Sequence, residues 1–273
     1  MPLVPSSRII GPKRDSGMIL PTMTAREICD EIEKDRQKIL YKIDFFRPKA
    51  VKFFSKAVRF PAYSLHEFTV PNSRNKYIVY FYAKSRADIQ TPTADYYCIV
   101  YADKNRYVLQ YGKSMYQPIE RGETRLVRHL HVYKSHFIAR YNERFCQNRY
   151  NTSDEIICRF LSRSKDRMPI KITEQIQKKI EEYGDGAKLG FRVRDGFCFA
   201  YTEIEYKATS AEPRPTDAID AVRTVYTTFM DEAHMRDVQI DGINEVHTHT
   251  YFNLLEDLQR QSIDGVVTLK LDE

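Results

Sequence analysis

The chain has 273 residues, 42% of them hydrophobic and 12% aromatic, with a formal net charge of +6. That is enough apolar material for a sizeable core, and it excludes a disordered chain. No apolar run approaches the ~18 residues a membrane span needs, and Pro2, Pro5, Gly11 and Pro12 interrupt any signal-peptide pattern. A cytoplasmic protein without membrane contact is therefore expected. The five cysteines, Cys29, Cys98, Cys146, Cys158 and Cys198, never form a CxxC pair and read as buried thiols in a reducing compartment. The moderate positive charge is compatible with nucleic acid. The 19 tyrosines can stack with arginine on unpaired bases, or simply populate strands.

Residues 1–20, rich in Pro, Ser and charge, read as a flexible leader. Thr24 with Glu27 then forms a capping-box signature. It predicts a helix whose buried stripe is Ile28, Ile32, Ile39, Leu40 and Ile43, broken or kinked at Arg47-Pro48. A second short helix over about Lys49 to Lys56 continues it. Tyr77–Tyr82, Tyr96–Tyr101 and Arg106–Tyr111 read as strands, the last two joined by a hairpin through Ala102–Asn105. Arg125–Tyr133 predicts a further strand, delivering the chain to Ser135 as N-cap of a helix. A capped helix is expected from Ser153 and another from Thr173 to about Tyr183. Leu189–Val193 and Phe197–Tyr201 form a hairpin through Arg194-Asp195-Gly196. Thr209–Asp217 is a polar loop, Val222–Phe229 returns to the sheet, and a helix carrying Val246, Tyr251, Leu254, Leu255 and Leu258 closes the chain. This order predicts an α+β fold, an antiparallel sheet with helices packed on it. The division expected is a helical and β-hairpin region over 21–120, an α+β core over 121–235 and a C-terminal helix and tail over 236–273.

The densest chemistry lies between Tyr133 and Phe145. At roughly 100° per residue, His136, Arg140, Glu143, Arg144 and Gln147 share one arc of a helix, beside an apolar arc of Phe137, Ile138, Tyr141 and Phe145. An imidazole that titrates near neutrality can move a proton, and two guanidinium groups can hold a phosphate. Glu143 would orient an arginine or be its surface partner. A solvated helix face with i,i+4 pairs has the same pattern. His129 and His131 point to one face of a strand, which allows bidentate metal ligation, but no HExxH or HxxEH pattern accompanies them. His247-Thr-His249-Thr has the HxT look of a two-histidine phosphoesterase, but His129-Leu-His131-Val lacks the hydroxyl of a second such element, and His247 shares a helical stripe with Tyr251, Leu254 and Leu258 and reads as a core histidine. Walker, GxGxxG and GxSxG motifs are absent. No metal and no cofactor are expected.

Ser135-His136-Phe-Ile-Ala-Arg140-Tyr-Asn-Glu143-Arg144, the acidic-capped Ser153-Asp-Glu-Ile-Ile157 and the strand Val222-Arg-Thr224-Val-Tyr226 together resemble elements of one known group. Residues from about 128 to 229 look like a diverged member of the barnase–EndoU–colicin–RelE superfamily of metal-independent ribonucleases, more narrowly its BrnT-like branch. The predicted helix Thr173–Tyr183 is not part of that pattern. The resemblance implies a RelE/BrnT-like core, a toxin-related activity, and RNA cleavage by attack of the 2′-hydroxyl on the adjacent phosphorus. It implies His136 as base or acid and Arg140 and Arg144 as the phosphate cradle, with Glu143, Thr224 and Tyr226 completing the catalytic set. Arg128, Lys134, Arg192 and Arg194 would form an RNA-binding rim. The expected partner is RNA, single-stranded, or another nucleic acid, with an inhibitory protein as a second partner. The alternative expectation is a non-catalytic nucleic-acid or protein interaction module on the same scaffold.

Overall fold

The computed structural model describes residues 17–116, 125–165, 167–170, 187, 189–206 and 219–232. Most of the expected leader, the helix Thr173–Tyr183, the loop Thr209–Asp217 and the C-terminal helix with His247 and His249 lie outside the described residues. The architecture is α+β. Three helices, α1 (Ala25–Phe54), α2 (Ser135–Arg144) and α3 (Ser153–Arg163), pack on one mostly antiparallel sheet. Its nine strands are β1 (Ala62–Thr69), β2 (Lys76–Ala83), β3 (Thr93–Ala102), β4 (Asn105–Tyr116), β5 (Arg125–Lys134), β6 (Met168–Ile170), β7 (Leu189–Val193), β8 (Gly196–Tyr206) and β9 (Ile219–Met230). Their order is β1-β2-β3-β4-β5-β9-β8-β7-β6, with β5 and β9 parallel and the other described pairs antiparallel. The expected boundary between residues 120 and 121 falls in the undescribed stretch 117–124, and the sheet runs across it from β4 to β5.

The two faces of the sheet bury separate cores. On one face α1 lays down Ile28, Ile32, Ile39, Ile43, Phe46, Ala50 and Phe54 against Val79, Phe81, Leu109, Leu130 and Val225. Each large apolar side chain so buried contributes roughly 1.5–3 kcal/mol. On the other face, α2 and α3 pack Phe137, Ile138, Tyr141, Ile157 and Phe160 onto Tyr80, Tyr97, Tyr133 and Tyr226. β2, covered on both sides, is buried from Tyr77 to Ala83 and therefore reads as a continuous apolar run.

The start of α1 is doubly fixed. Thr24 and Glu27 make the reciprocal capping box. The Glu205 carboxylate also accepts from the backbone N–H of Ala25 (2.5 Å) and Arg26 (3.0 Å), an anion at the positive end of the helix. Two expectations for α1 and one for α2 need correcting. The helix runs through Pro48 without a second helix starting at Lys49. Pro48 and the preceding-turn residue Asp44 are both exposed, so water can take the carbonyl that proline leaves unbonded. Leu40 is 41% exposed, because the buried stripe turns from Ile39 to Ile43 without it. Ser135 does not cap α2. The cap position is Lys134, and the Ser135 hydroxyl donates to the Arg106 carbonyl at 2.8 Å. The short strands β1 and β6 carry no strong alternation and are additions to the predicted set.

One buried carboxylate locks α1 to the sheet. Asp35, 1% exposed, accepts through Oδ2 from Ser73 Oγ (2.7 Å), Asn75 Nδ2 (2.9 Å) and Tyr77 Oη (3.0 Å). Asn75 Oδ1 in turn accepts from the Ile19 N–H at 2.8 Å. Asp35→Ala would leave three buried donors without an acceptor, and a loss of about 3 kcal/mol is expected. Urea denaturation measures it, and a loss below about 1 kcal/mol would show that the network is not a tie.

Candidate functional site

α2 is positioned by its apolar face and by two buried polar ties. Phe137 packs against Tyr133 (5.6 Å between centroids), Tyr226 (5.7 Å) and Phe160 (5.0 Å). Tyr141 Oη donates to Asp195 Oδ2 at 2.7 Å. Asp195 also receives Arg163 Nε (2.8 and 2.9 Å) and Nη2 (2.5 Å), so the β7–β8 turn joins both helices. Gly196, with φ +146°, closes that turn where an added Cβ would sit 2.3 Å from the Met230 carbonyl.

These ties send the residues of the helical motif in different directions. His136 is exposed in the first turn. Arg140 forms a surface ion pair with Glu143 at 2.7 Å. Arg144 Nη1 donates to the Phe229 carbonyl at 2.5 Å, pinning the end of α2 to β9. Thr224 (2% exposed) and Tyr226 (fully buried) lie on the sheet under the helical layer, bonded to other partners described below. His136, Arg140 and Arg144 therefore do not meet Thr224 and Tyr226 in one pocket.

The proposed rim is also spread over the molecule. Arg128 reaches Asp30 (3.1 Å) and Asp220 (2.9 Å) beside α1. Lys134 lies over the Tyr201 ring at 5.4 Å. Arg192 stacks on Phe197 (4.6 Å) and pairs with Glu232. Arg194 is exposed in the β7–β8 turn.

A different constellation forms where β5 meets β9. The parallel register sets His131 opposite Thr224 and Tyr133 opposite Tyr226. Because side chains alternate along a strand, His129, His131 and Tyr133 share the face that carries α2 and α3. Thr224 and Tyr226 join them there. His129 Nε2 and Thr224 Oγ1 are 2.9 Å apart, and Thr202 Oγ1 extends the chain at 3.3 Å. The imidazole rings of His129 and His131 lie 3.9 Å apart at 31°. Tyr133 and Tyr226 stack at 4.7 Å.

Arg167 binds this set together. Its Nη1 donates to His131 Nδ1 (2.8 Å) and Tyr226 Oη (3.0 Å). Its Nη2 donates to Tyr133 Oη (2.5 Å) and Gln110 Oε1 (3.2 Å). The guanidinium lies over both tyrosine rings, 5.2 Å from Tyr226 and 5.7 Å from Tyr133. All four acceptors are neutral, Nε is buried without a partner, and no carboxylate among the described residues pairs with this arginine. His131 Nδ1 accepts from Arg167, which assigns the ring proton to Nε2.

The histidines are neutral. Burial, reinforced by the Arg167 charge, pushes His129 down to about 4. Burial, then Arg167 and His129, holds His131 well below the ordinary histidine range. Among the described residues no three His, Cys, Asp or Glu side chains gather as metal ligands, so the pair lacks a third protein ligand there.

Of the residues expected to act, the cluster takes Thr224 and Tyr226 and leaves His136, Arg140, Glu143 and Arg144 outside. His129 and His131 were legible only as a same-face pair. Tyr133 continues that alternation and Tyr226 is its register partner. Arg167, Gln110 and Thr202 carried no local signal, since only the tertiary fold brings them in.

The depressed histidines make stability depend on pH. Below about 6.5 the unfolded chain takes up protons that the folded cluster refuses, so unfolding free energy falls as pH drops toward 4. Between pH 7 and 5 wild type is expected to lose about 1–2 kcal/mol more than His129→Gln. Denaturant titrations at the two pH values measure this, and parallel losses would contradict it.

No protein-family model, no curated protein and no solved structure matches this chain.

Proposed function

We propose that this is an RNA-binding protein with metal-independent ribonuclease-like activity, centred on Arg167, His129 and His131. The observation that carries this reading is the Arg167 guanidinium, held among the described residues by neutral acceptors only and keeping a buried Nε–H without a partner there. A cation so placed favours an anion, and its planar fork suits a phosphate. The resemblance of residues 128–229 to a RelE/BrnT-like core supports the same chemistry. The cluster transfers the reacting role from the exposed α2 face to β5 and β9.

In this reading the RNA 2′-hydroxyl attacks the adjacent phosphorus. His129 accepts the O2′ proton as the O2′–P bond forms. It returns that proton to O5′ as the P–O5′ bond breaks, leaving a 2′,3′-cyclic phosphate and a 5′-hydroxyl. Arg167 and the His131 Nε2–H stabilise the extra negative charge on the equatorial oxygens. Bound phosphate raises the His129 affinity for a proton, which brings a base depressed to about 4 toward neutrality. Thr224 holds the His129 ring in place, and Tyr226 supports Arg167.

A labelled RNA oligonucleotide incubated in EDTA tests the reading. Cleavage to cyclic-phosphate ends is expected, reduced about 10²–10⁴-fold by His129→Ala and strongly by Arg167→Ala. His136→Ala with Arg140→Ala should leave most of the rate. No cleavage, or a loss confined to the α2 variants, would overturn it. RNA binding without cleavage would favour the non-catalytic interaction module. Gln110→Glu separates a site from a structural network, because it offers Arg167 a carboxylate. Raised thermal stability together with lost cleavage is expected, and unchanged cleavage would count against an anion site.

A further inference from the structure

The outer face of α1 is unusual for a helix packed on a sheet. Tyr41 is 65% exposed, Phe45 48% and Phe53 52%, and Leu40 is also exposed. Isolated apolar side chains on a surface need no explanation, but a contiguous row on one element does. Charge is concentrated at the same place. Residues 36 to 59 contain eight Lys or Arg and one acid, Asp44, an excess of seven against a net +6 for the whole chain. Among the described residues Lys38, Lys42, Lys49, Lys52 and Lys56 have no ion-pair partner. The lysines touch aromatic rings instead: Lys42 Nζ and Lys49 Nζ each lie 5.0 Å from the Phe45 centroid, and Tyr41 stacks on Phe45 at 6.4 Å and 22°.

The two kinds of side chain lie side by side, with the exposed Phe53 on the far side of the lysines. At roughly 100° per residue, Lys38, Lys42 and Lys49 fall on one side of the outward arc and Leu40, Tyr41 and Pro48 on the other, with Phe45 and Lys52 at the seam. We infer that this face of α1 binds single-stranded RNA, with phosphates along the lysine rail and bases stacked on Tyr41 and Phe45. Rails of positive charge beside aromatic platforms are what a sequence-tolerant single-strand surface requires. From Lys38 to Lys52 the rail spans about 20 Å at 1.5 Å per residue. An anionic bilayer fits less well, since a helix lying in the interface keeps its charged groups off its apolar crest. Here Lys52 stands at the crest and Lys38, Lys49 and Lys42 lie between the exposed Phe45 and Phe53. The choice of RNA as partner rests on the proposed function, but the surface is on the opposite sheet face from the Arg167 cluster and does not require cleavage there.

Fluorescence anisotropy with a labelled 2′-O-methyl U12 oligonucleotide, which cannot be cleaved by 2′-hydroxyl attack, reads binding alone on the full-length protein. Lys49→Gln with Lys52→Gln is expected to weaken binding about tenfold at ~50 mM salt and to reduce the salt slope by roughly 1–1.5. Tyr41→Ala with Phe45→Ala should weaken it about 10–100-fold while leaving the slope unchanged. The lysine pair is exposed, and its only contact with the core among the described residues is Lys49 Nζ over the Phe46 ring at 5.5 Å, so it keeps the test decisive should the aromatic variant melt early. Wild-type affinity in both variants would overturn the inference. So would loss of binding to phosphatidylserine vesicles in both variants while oligonucleotide binding persists. If the cluster variant His129→Ala binds U12 like wild type whether or not the protein cleaves RNA, the surface stands independently of the catalytic reading.

Discussion

Parallel pairing between β5 and β9 joins two antiparallel runs, β1–β5 and β9–β6, and decides what each face of the sheet can carry. Parallel neighbours cannot be linked by a tight hairpin; the chain must leave the sheet and cross over. It does so through α2 and α3, which both land on one face, and then adds β6, β7 and β8 before β9, while α1 from the beginning of the chain covers the other face. The central strands are consequently covered on both sides. A polar side chain placed there must find a partner within the fold, because water reaches it poorly.

Buried tyrosines show how the fold meets that demand. Tyr77, Tyr80, Tyr97 and Tyr141 each deliver their hydroxyl to a carboxylate: Asp35, Asp95, Asp154 and Asp195. The last two of these carboxylates also take an arginine, Arg106 and Arg163 respectively. Tyr133 and Tyr226 are the exception in this set, since their hydroxyls meet Arg167 instead of an acid. Five of these six fully buried tyrosines lie in the core under α2 and α3, and Tyr77 lies in the core under α1. The exception coincides with the one junction where two histidines and two threonines also converge.

Elements governed by local rules were legible in the sequence, and those governed by long-range fit were not. The capping box at Thr24, the Asp103-Lys104 hairpin with both residues at positive φ, and the β-branched return strand at Val222–Phe229 follow from adjacent residues alone. Pro48 misleads because its missing N–H matters only where the opposing carbonyl is shielded from water, which a helix's sequence does not record. Ser135 has the chemistry of a cap, yet its hydroxyl is drawn to the Arg106 carbonyl across the sheet. The same limit applies to function. His136, Arg140 and Arg144 are conspicuous because helical spacing collects them, but a helix face becomes a site only when another element closes over it. His129 and His131 sit on a strand whose neighbour is some 95 positions away, and only the parallel register discloses that Thr224 and Tyr226 lie beside them.

The absence of a carboxylate partner for Arg167 among the described residues sets the energetics of the cluster. A buried guanidinium with neutral acceptors retains most of its hydrogen bonds but has, among the described residues, no Coulombic partner such as Arg106 and Arg163 possess. Gln110, already 3.2 Å away, occupies the place where a glutamate would supply that partner and close the site. Burial is the first cause of the neutral histidines, and the guanidinium reinforces it, since protonating either ring would set a second positive charge beside the first. On the proposed reading an incoming phosphate would reverse both conditions at once. It would neutralise the arginine and make imidazolium favourable, coupling anion binding to proton uptake by thermodynamic linkage. The acidification that weakens the fold would then strengthen its hold on an anion. Opposite pH dependences of stability and affinity are what distinguish a polar cluster built to receive a phosphate from one built only to fill the centre of a sheet.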